Sequence, residues 1–172
     1  MMRSWALLML LCCLLVPTTA AADDGSLGRS GETVFPMGEP TVRMEAEEVL
    51  LRIDPERTAV SLSFTFANSG PAKQVLMGFP LQQTFEGRGH PELNEFTTRV
   101  DGTAVPVVTE KASAGEYPGW ITWPVAFGAN QTVTVTNSYW GTNTYWSNGD
   151  TLAGYILKTG AVWNGTIGRA RV

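Results

Sequence analysis

From Thr58 to Ala67 the chain alternates without interruption: Val60, Leu62, Phe64 and Phe66 fall on one side, and Ser61, Ser63 and Thr65 on the other. A period of two in β-branched, aromatic and hydroxyl residues fits a strand with one buried and one wet face. It fits a helix badly, because at about 3.6 residues per turn these apolar side chains would scatter around the axis. The fold must therefore supply a second layer for Val60 to Phe66 to bury against.

Much of the remaining chain is punctuated in the same way. Asn68-Ser69-Gly70-Pro71 forms a turn, after which Val75, Met77 and Phe79 alternate until Pro80. Phe96, Thr98 and Val100 lead into Asp101-Gly102, and Val105 and Val107 return, the pattern of a tight hairpin. Ile121, Trp123, Val125 and Phe127 share a face, with Pro124 predicting an edge position or a bulge. Gly128 to Gln131 turns the chain into Thr132–Tyr139, where Val133 and Val135 oppose Thr132, Thr134 and Thr136. Runs at 155–158 and 167–172 complete the set. Residues 44–53 carry helix formers and read either as helix or as strand. As a strand they need a phase change between Ala46 and Val49, which a bulge supplies, and Glu45, Glu47 and Glu48 then line an exposed side. We read them as strand. The expected architecture is all-β: an antiparallel β-sandwich of immunoglobulin-like type, with an up-and-down barrel as the alternative.

Residues 1–22 read as a secretory signal: Arg3 is the positive start, Trp5 to Val16 the apolar run, and Ala20-Ala21-Ala22 the small residues before a cut near Ala22. The run is about 12 residues, short of the ~20 that span a bilayer. Cys12 and Cys13 are the two cysteines of the 172-residue chain, so cleavage leaves a cysteine-free mature chain. Residues 23–172 then form one domain that relies on its core rather than on disulfides. A thiolate nucleophile and a zinc–thiolate site are excluded with them. The chain has 12 Lys+Arg against 16 Asp+Glu, a formal charge of −4, which argues against a nucleic-acid partner. No later segment is long and apolar enough to be a transmembrane helix.

Several stretches carry a family resemblance: Gly31-Glu32-Thr33-Val34-Phe35-Pro36, Val75-Leu76-Met77-Gly78-Phe79-Pro80, Val100-Asp101-Gly102 with Val105-Pro106-Val107, and Gly154-Tyr155-Ile156-Leu157-Lys158-Thr159-Gly160-Ala161 with Trp163. The chain is similar to a family of secreted bacterial domains of unknown function, in some members fused to a copper amine oxidase N-terminal-like stalk domain. The resemblance implies export and a cell-envelope or extracellular setting, and it assigns no catalytic residue. Members of that family run on past the position of Val172. This chain ends in a strand-like run, Thr166 to Val172, with no closing turn, as a fragment truncated at its C-terminus would.

Candidate chemistry is sparse. His90, the one histidine, lies in Gly87-Arg88-Gly89-His90-Pro91-Glu92, and no Gly-x-Ser-x-Gly accompanies it. Of the carboxylates, Asp54, Glu56, Asp101 and Glu110 lie near turns or strand ends, and nothing pairs them as a glycosidase requires. Asp23-Asp24-Gly25-Ser26 lacks the spacing of a calcium loop. No metal site and no cofactor are expected. Aromatic residues crowd between Tyr117 and Trp163. Trp123 and Phe127 share the core phase of Val125, whereas Trp120 and Trp140 point the opposite way. Trp140, Tyr145 and Trp146, with Trp120 and the polar Asn148 and Asp150, are the candidate ligand-binding residues, because exposed rings beside Asn, Thr and Asp suit stacking on a sugar or a partner. The bland alternative is that these rings seal the end of the sandwich.

The expected function is an exported, non-catalytic module with a structural or binding role at the bacterial envelope. The sequence assigns no partner; a cell-wall glycan and another envelope protein are the candidates. The alternative is a carbohydrate-binding domain, and a carboxylate-dependent hydrolase comes third.

Overall fold

The computed structural model describes residues 25–30, 33–81, 93–112, 119–145, 147–152, 155 and 162–172. The signal-like segment 1–22, His90 and Trp146 lie outside them. Three long strands form the middle of one sheet: β3 (Val42–Ile53), β4 (Arg57–Asn68) and β10 (Thr132–Thr142), the last two following the alternation directly. β4 lies between the other two, antiparallel to both. β6 (Asn94–Val100) and β7 (Thr103–Val105) extend the sheet beyond β10, and β13 (Arg169–Arg171) pairs parallel to β3 at the other edge. Asp101 and Gly102, at φ 48° and 79°, make the β6–β7 turn that the Asp-Gly pair predicts.

The second sheet contains β1 (Gly25–Ser30), β2 (Thr33–Pro36), β5 (Lys73–Pro80), β8 (Val108–Ala112) and β9 (Gly119–Phe127). Its order is β1-β2-β8-β9-β5, and β1 pairs back onto β5, so the sheet closes on itself. A two-stranded ribbon, β11 (Thr144–Tyr145) with β12 (Thr151–Leu152), stands apart. The chain is thus the expected all-β sandwich, with one layer curled into the small closed barrel that the alternative reading had for the whole domain. The glycine-rich β1 and the short β2 and β8 carry no alternation and were not foreseen. Among the described residues no helix is long and apolar enough to cross a membrane.

The core lies between the layers. Val60, Leu62, Phe64 and Phe66 of β4 are buried with Val133 and Val135 of β10, facing Val75, Met77 and Phe79 of β5 and Trp123, Val125 and Phe127 of β9. Phe66 touches three rings, with Trp163 nearest at 4.7 Å between centroids. Trp163 arrives on a non-strand segment that runs beside β3, tied by Asn164 N–H donating to the Val42 carbonyl at 2.9 Å. Pro124 sits where β9 has passed the last β8 pair, Val108 with Thr122, so the strand is locally an edge, as a proline demands. The closed layer has its own interior, filled by Leu27 and Trp120 with Leu76 and Ala112 against them.

Residues 44–53 are strand, and the bulge falls between Met44 and Ala46, one step earlier than the expected place. Glu45 is the extra residue, and the shift turns Glu47 inward. The expectation that Glu47 lines an exposed face is therefore corrected: its side chain is 0% exposed, on a residue that stands opposite Phe64. Its Oε1 accepts a 3.1 Å bond from the Tyr155 hydroxyl, and Oε2 has no partner among the described residues. Burial pushes this carboxyl above its usual range, and the Tyr155 bond offsets only part of that rise.

A carboxyl with a raised folded pKa stabilises the fold fully below its ordinary value of 4.5 and loses that contribution as pH rises through the folded value. Glu47→Gln is therefore expected to melt higher than the parent at neutral pH and to converge with it near about pH 4, in thermal melts across pH. A Cβ at Gly119 would fall 2.5 Å from the Glu110 carbonyl oxygen and 2.7 Å from Leu81 Cδ1. Gly119→Ala is expected to cost about 1–3 kcal/mol in urea unfolding, as overpacking against backbone does.

Candidate functional site

The unbroken register between β4 and β10 decides which aromatic residues reach the surface. Tyr139 pairs with Val60 and turns inward; Trp140 pairs with Ala59 and turns outward. Two residues on, Thr142 stands opposite Arg57, where β4 begins. The Arg57 guanidinium carbon lies 5.6 Å from the Trp140 ring centroid, within cation–π range. The turn joining β3 to β4 supplies the other wall. Asp54, Pro55, Glu56, Arg57, Trp140 and Thr142 together line an open groove of about 540 Å³.

That turn is held from below by one buried side chain. Asn143 donates from Nδ2 to the Asp54 carbonyl at 2.7 Å and more weakly to the Pro55 carbonyl at 3.4 Å. Its Oδ1 accepts from Thr58 Oγ1 at 2.6 Å, and its backbone N–H donates to the Glu56 carbonyl at 3.0 Å. The Tyr145 hydroxyl donates to the Pro55 carbonyl as well. The turn is therefore fixed to the end of β10 by three successive carbonyls. This matters for recognition, because a groove held in shape loses little freedom when a ligand enters.

The candidate residues of the sequence reading divide. Trp140 lines the groove, and Tyr145, 53% exposed, borders the same turn. Asn148 and Asp150 are exposed and close a turn between themselves, with Asn148 Nδ2 on Asp150 Oδ2 at 2.6 Å and the Asp150 N–H on Asn148 Oδ1 at 3.1 Å. Neither lines the groove. Trp146 lies outside the described residues. Trp120 is corrected: it does point away from the main core, but into the closed layer, where it is 1% exposed and offers no surface for stacking. The sequence reading missed Arg57 and Asn143. Asp54 and Glu56 were noted only as turn carboxylates, and no spacing in the sequence brings that turn to Trp140. Among the described residues no three His, Cys, Asp or Glu side chains gather as a metal site requires.

A second polar cluster marks the opposite end of β4 and is structural. The Asn68 amide donates to the Pro71 and Gly128 carbonyls at 2.9 Å each. Nearby, Glu39 accepts from Lys73 Nζ at 2.8 Å and from the Thr41 N–H at 3.1 Å. Burial raises the Glu39 carboxyl, but the Lys73 bond and the Thr41 amide outweigh it and bring the net shift below the ordinary value.

No protein family matches this chain, and no curated protein does. Among solved structures it is similar to a candidate nutrient-binding protein from Legionella pneumophila subsp. pneumophila str. Philadelphia 1, with a TM-score of 0.63 and 22% identity over 83% of this chain and 52% of that one. The likeness is one of fold, and this chain spans about half the length of that neighbour. An M1 zinc metallopeptidase from Deinococcus radiodurans is more distant, at a TM-score of 0.42 and 14% identity over 73% of this chain and 27% of that one, and carries no argument.

Asn143→Ala removes the bonds to the Asp54 carbonyl and to Thr58 together. It is expected to destabilise the fold by about 1–3 kcal/mol, the cost of leaving such groups buried and unpaired, read as a lowered urea midpoint.

Proposed function

We propose that this chain is an exported, non-catalytic binding module of the bacterial envelope whose ligand site is the groove beside Trp140, and that the ligand is a glycan. The observation that carries this reading is the composition of the groove: a partly exposed indole next to a guanidinium and two carboxylates, on a turn fastened by Asn143. An indole offers an apolar face to the C–H face of a sugar ring, and the flanking charged groups offer hydrogen bonds to its hydroxyls. The signal-like residues 1–22 and the resemblance to secreted bacterial domains support an extracytoplasmic setting. The name of the Legionella neighbour is in keeping with a binding role.

A carboxylate-dependent hydrolase would have Asp54 and Glu56 to draw on. Both come from one turn, two residues apart, whereas a glycosidase sets its pair on either side of the scissile bond. For this reason we read the groove as a site of recognition.

The test is tryptophan fluorescence and calorimetry against soluble cell-wall and plant oligosaccharides. The expected result is saturable binding in the parent, lost by at least about tenfold, or 1.4 kcal/mol, in Trp140→Ala. Reducing sugar should not accumulate on prolonged incubation. Equal affinity in parent and variant would remove the groove from consideration, and sugar release abolished by Glu56→Gln would turn the reading to hydrolysis.

A further inference from the structure

Glu47 stands near the margin of the larger sheet, where a short stretch of chain docks. Residues 162–171 run beside β3 as an arm fastened at intervals. The Glu39 N–H donates to the Val162 carbonyl at 2.7 Å, the Asn164 N–H to the Val42 carbonyl at 2.9 Å, and the Gly168 N–H to the Met44 carbonyl at 3.2 Å. Arg43 Nε donates to the Thr166 carbonyl at 3.0 Å. The arm ends in β13, which pairs with Ala46, Glu47 and Glu48, so Ala170 stands opposite Glu47. Val162, Trp163 and Ile167 carry the apolar contacts of the arm with the core, and Tyr155 packs against the same core.

The buried Glu47 carboxyl is met at one oxygen. Oε1 accepts from the Tyr155 hydroxyl at 3.1 Å, and Oε2 has no partner. Among the described residues no cation faces it. On β3, Arg43 is committed to Thr166, and Glu45 and Glu48 are exposed. On β13, Arg169 and Arg171 are exposed, and Arg169 lies 3.4 Å from Glu48. β4 has one titratable side chain, Arg57 at its start. Of the facing strands β5 and β9, only β5 has one, Lys73, which is paired with Glu39. A neutral carboxyl is tolerated in such a place, but an ionised one leaves charge on an oxygen that nothing solvates, so either water enters or the cover moves. The arm is the part that yields most easily. Its strand residues are all exposed and lie at the sheet edge, whereas β3 is paired with β4 from Val42 opposite Asn68 to Ile53 opposite Thr58.

We infer that Glu47 is a proton-operated latch for this arm: with the carboxyl neutral, Tyr155 and residues 162–171 lie closed on β3, and release of its proton to solvent loosens them while the rest of the sandwich stays folded. The sense follows from burial. The latch is closed in acid and yields as pH rises through the folded value of the carboxyl, which lies above its ordinary 4.5. Tyr155 tunes it, because a hydroxyl donating to Oε1 supports the charged form and so lowers the pH at which the latch yields. Loosening uncovers Phe66, whose ring centroid lies 4.7 Å from that of Trp163, and the edge of β3 from Ala46 to Glu48. This differs from a loss of stability shared by the whole domain, since the change is confined to one edge.

The test is hydrogen exchange of the full chain read by NMR from about pH 5 to about pH 8, corrected for the intrinsic pH dependence of exchange. The Asn164 and Gly168 amides report the arm, because each donates to a β3 carbonyl, and the amides of β4 and β10 report the sandwich. The expected result in the parent is that protection of Asn164 and Gly168 falls about tenfold or more across this range while β4 and β10 keep theirs. In Glu47→Gln the protection of the arm stays level. In Tyr155→Phe the fall moves to higher pH, whereas a Tyr155 that only packed would, when cut back, loosen the arm at every pH alike. Thermal melts report whether the variants keep the parent fold. Level protection in the parent, or a fall that Glu47→Gln retains, overturns the latch. So does a fall shared equally by β4 and β10, and so does a Tyr155→Phe arm that loosens without any change in the pH at which it falls.

Discussion

The side chains of Val60, Leu62, Phe64 and Phe66 can leave water only by lying between two sheets, and the rest of the molecule is arranged around that requirement. A period of two admits no partial solution. Slipping β4 by one residue against β10 would carry four large apolar side chains into solvent and bring three hydroxyls into the core. The register from Thr132 opposite Ala67 to Thr142 opposite Arg57 is accordingly free of shifts. The same register sends Tyr139 inward and Trp140 outward, so the position of the candidate binding residue follows from the burial of its neighbours.

Where alternation was present, the sequence could be read. β4, β5, β6, β9 and β10 lie where their apolar phase put them, and the Asp101-Gly102 turn has the backbone its residues favour. β1, β2 and β8 were not legible because they are short and carry no alternation, and the pairs that close the layer, β1 with β5 and β2 with β8, join segments distant in sequence. Strands of that kind are specified by closure of the layer and carry little pattern of their own. The candidate site was half legible. Phase alone separated Trp140 from Tyr139, but phase could not say what lay behind each outward face. Trp120 shares the outward phase, and the N-terminal strands that curl over it bury it. Asn143 was invisible because its importance lies in carbonyls nearly ninety residues away in sequence.

Glu47 illustrates how a local irregularity can override a sound global pattern. The sequence asked for a phase change in residues 44–53, and a single extra residue at Glu45 supplied it, which left β3 with a carboxyl facing the core. The Tyr155 hydroxyl meets one of its oxygens. A buried carboxyl whose burial favours the neutral form ties the firmness of this part of the sandwich to the acidity around it.

Closure of the five-stranded layer has a consequence for the behaviour of the molecule in company. An open sheet ends in rows of unpaired amide and carbonyl groups that can recruit a stray strand. By folding β1 back onto β5, this layer keeps only short free margins, such as β9 beyond its last β8 pair, whereas the larger sheet ends in the edge strands β7 and β13. The molecule thus presents a guarded side and a sociable side, and the groove beside Trp140 opens on the sociable one.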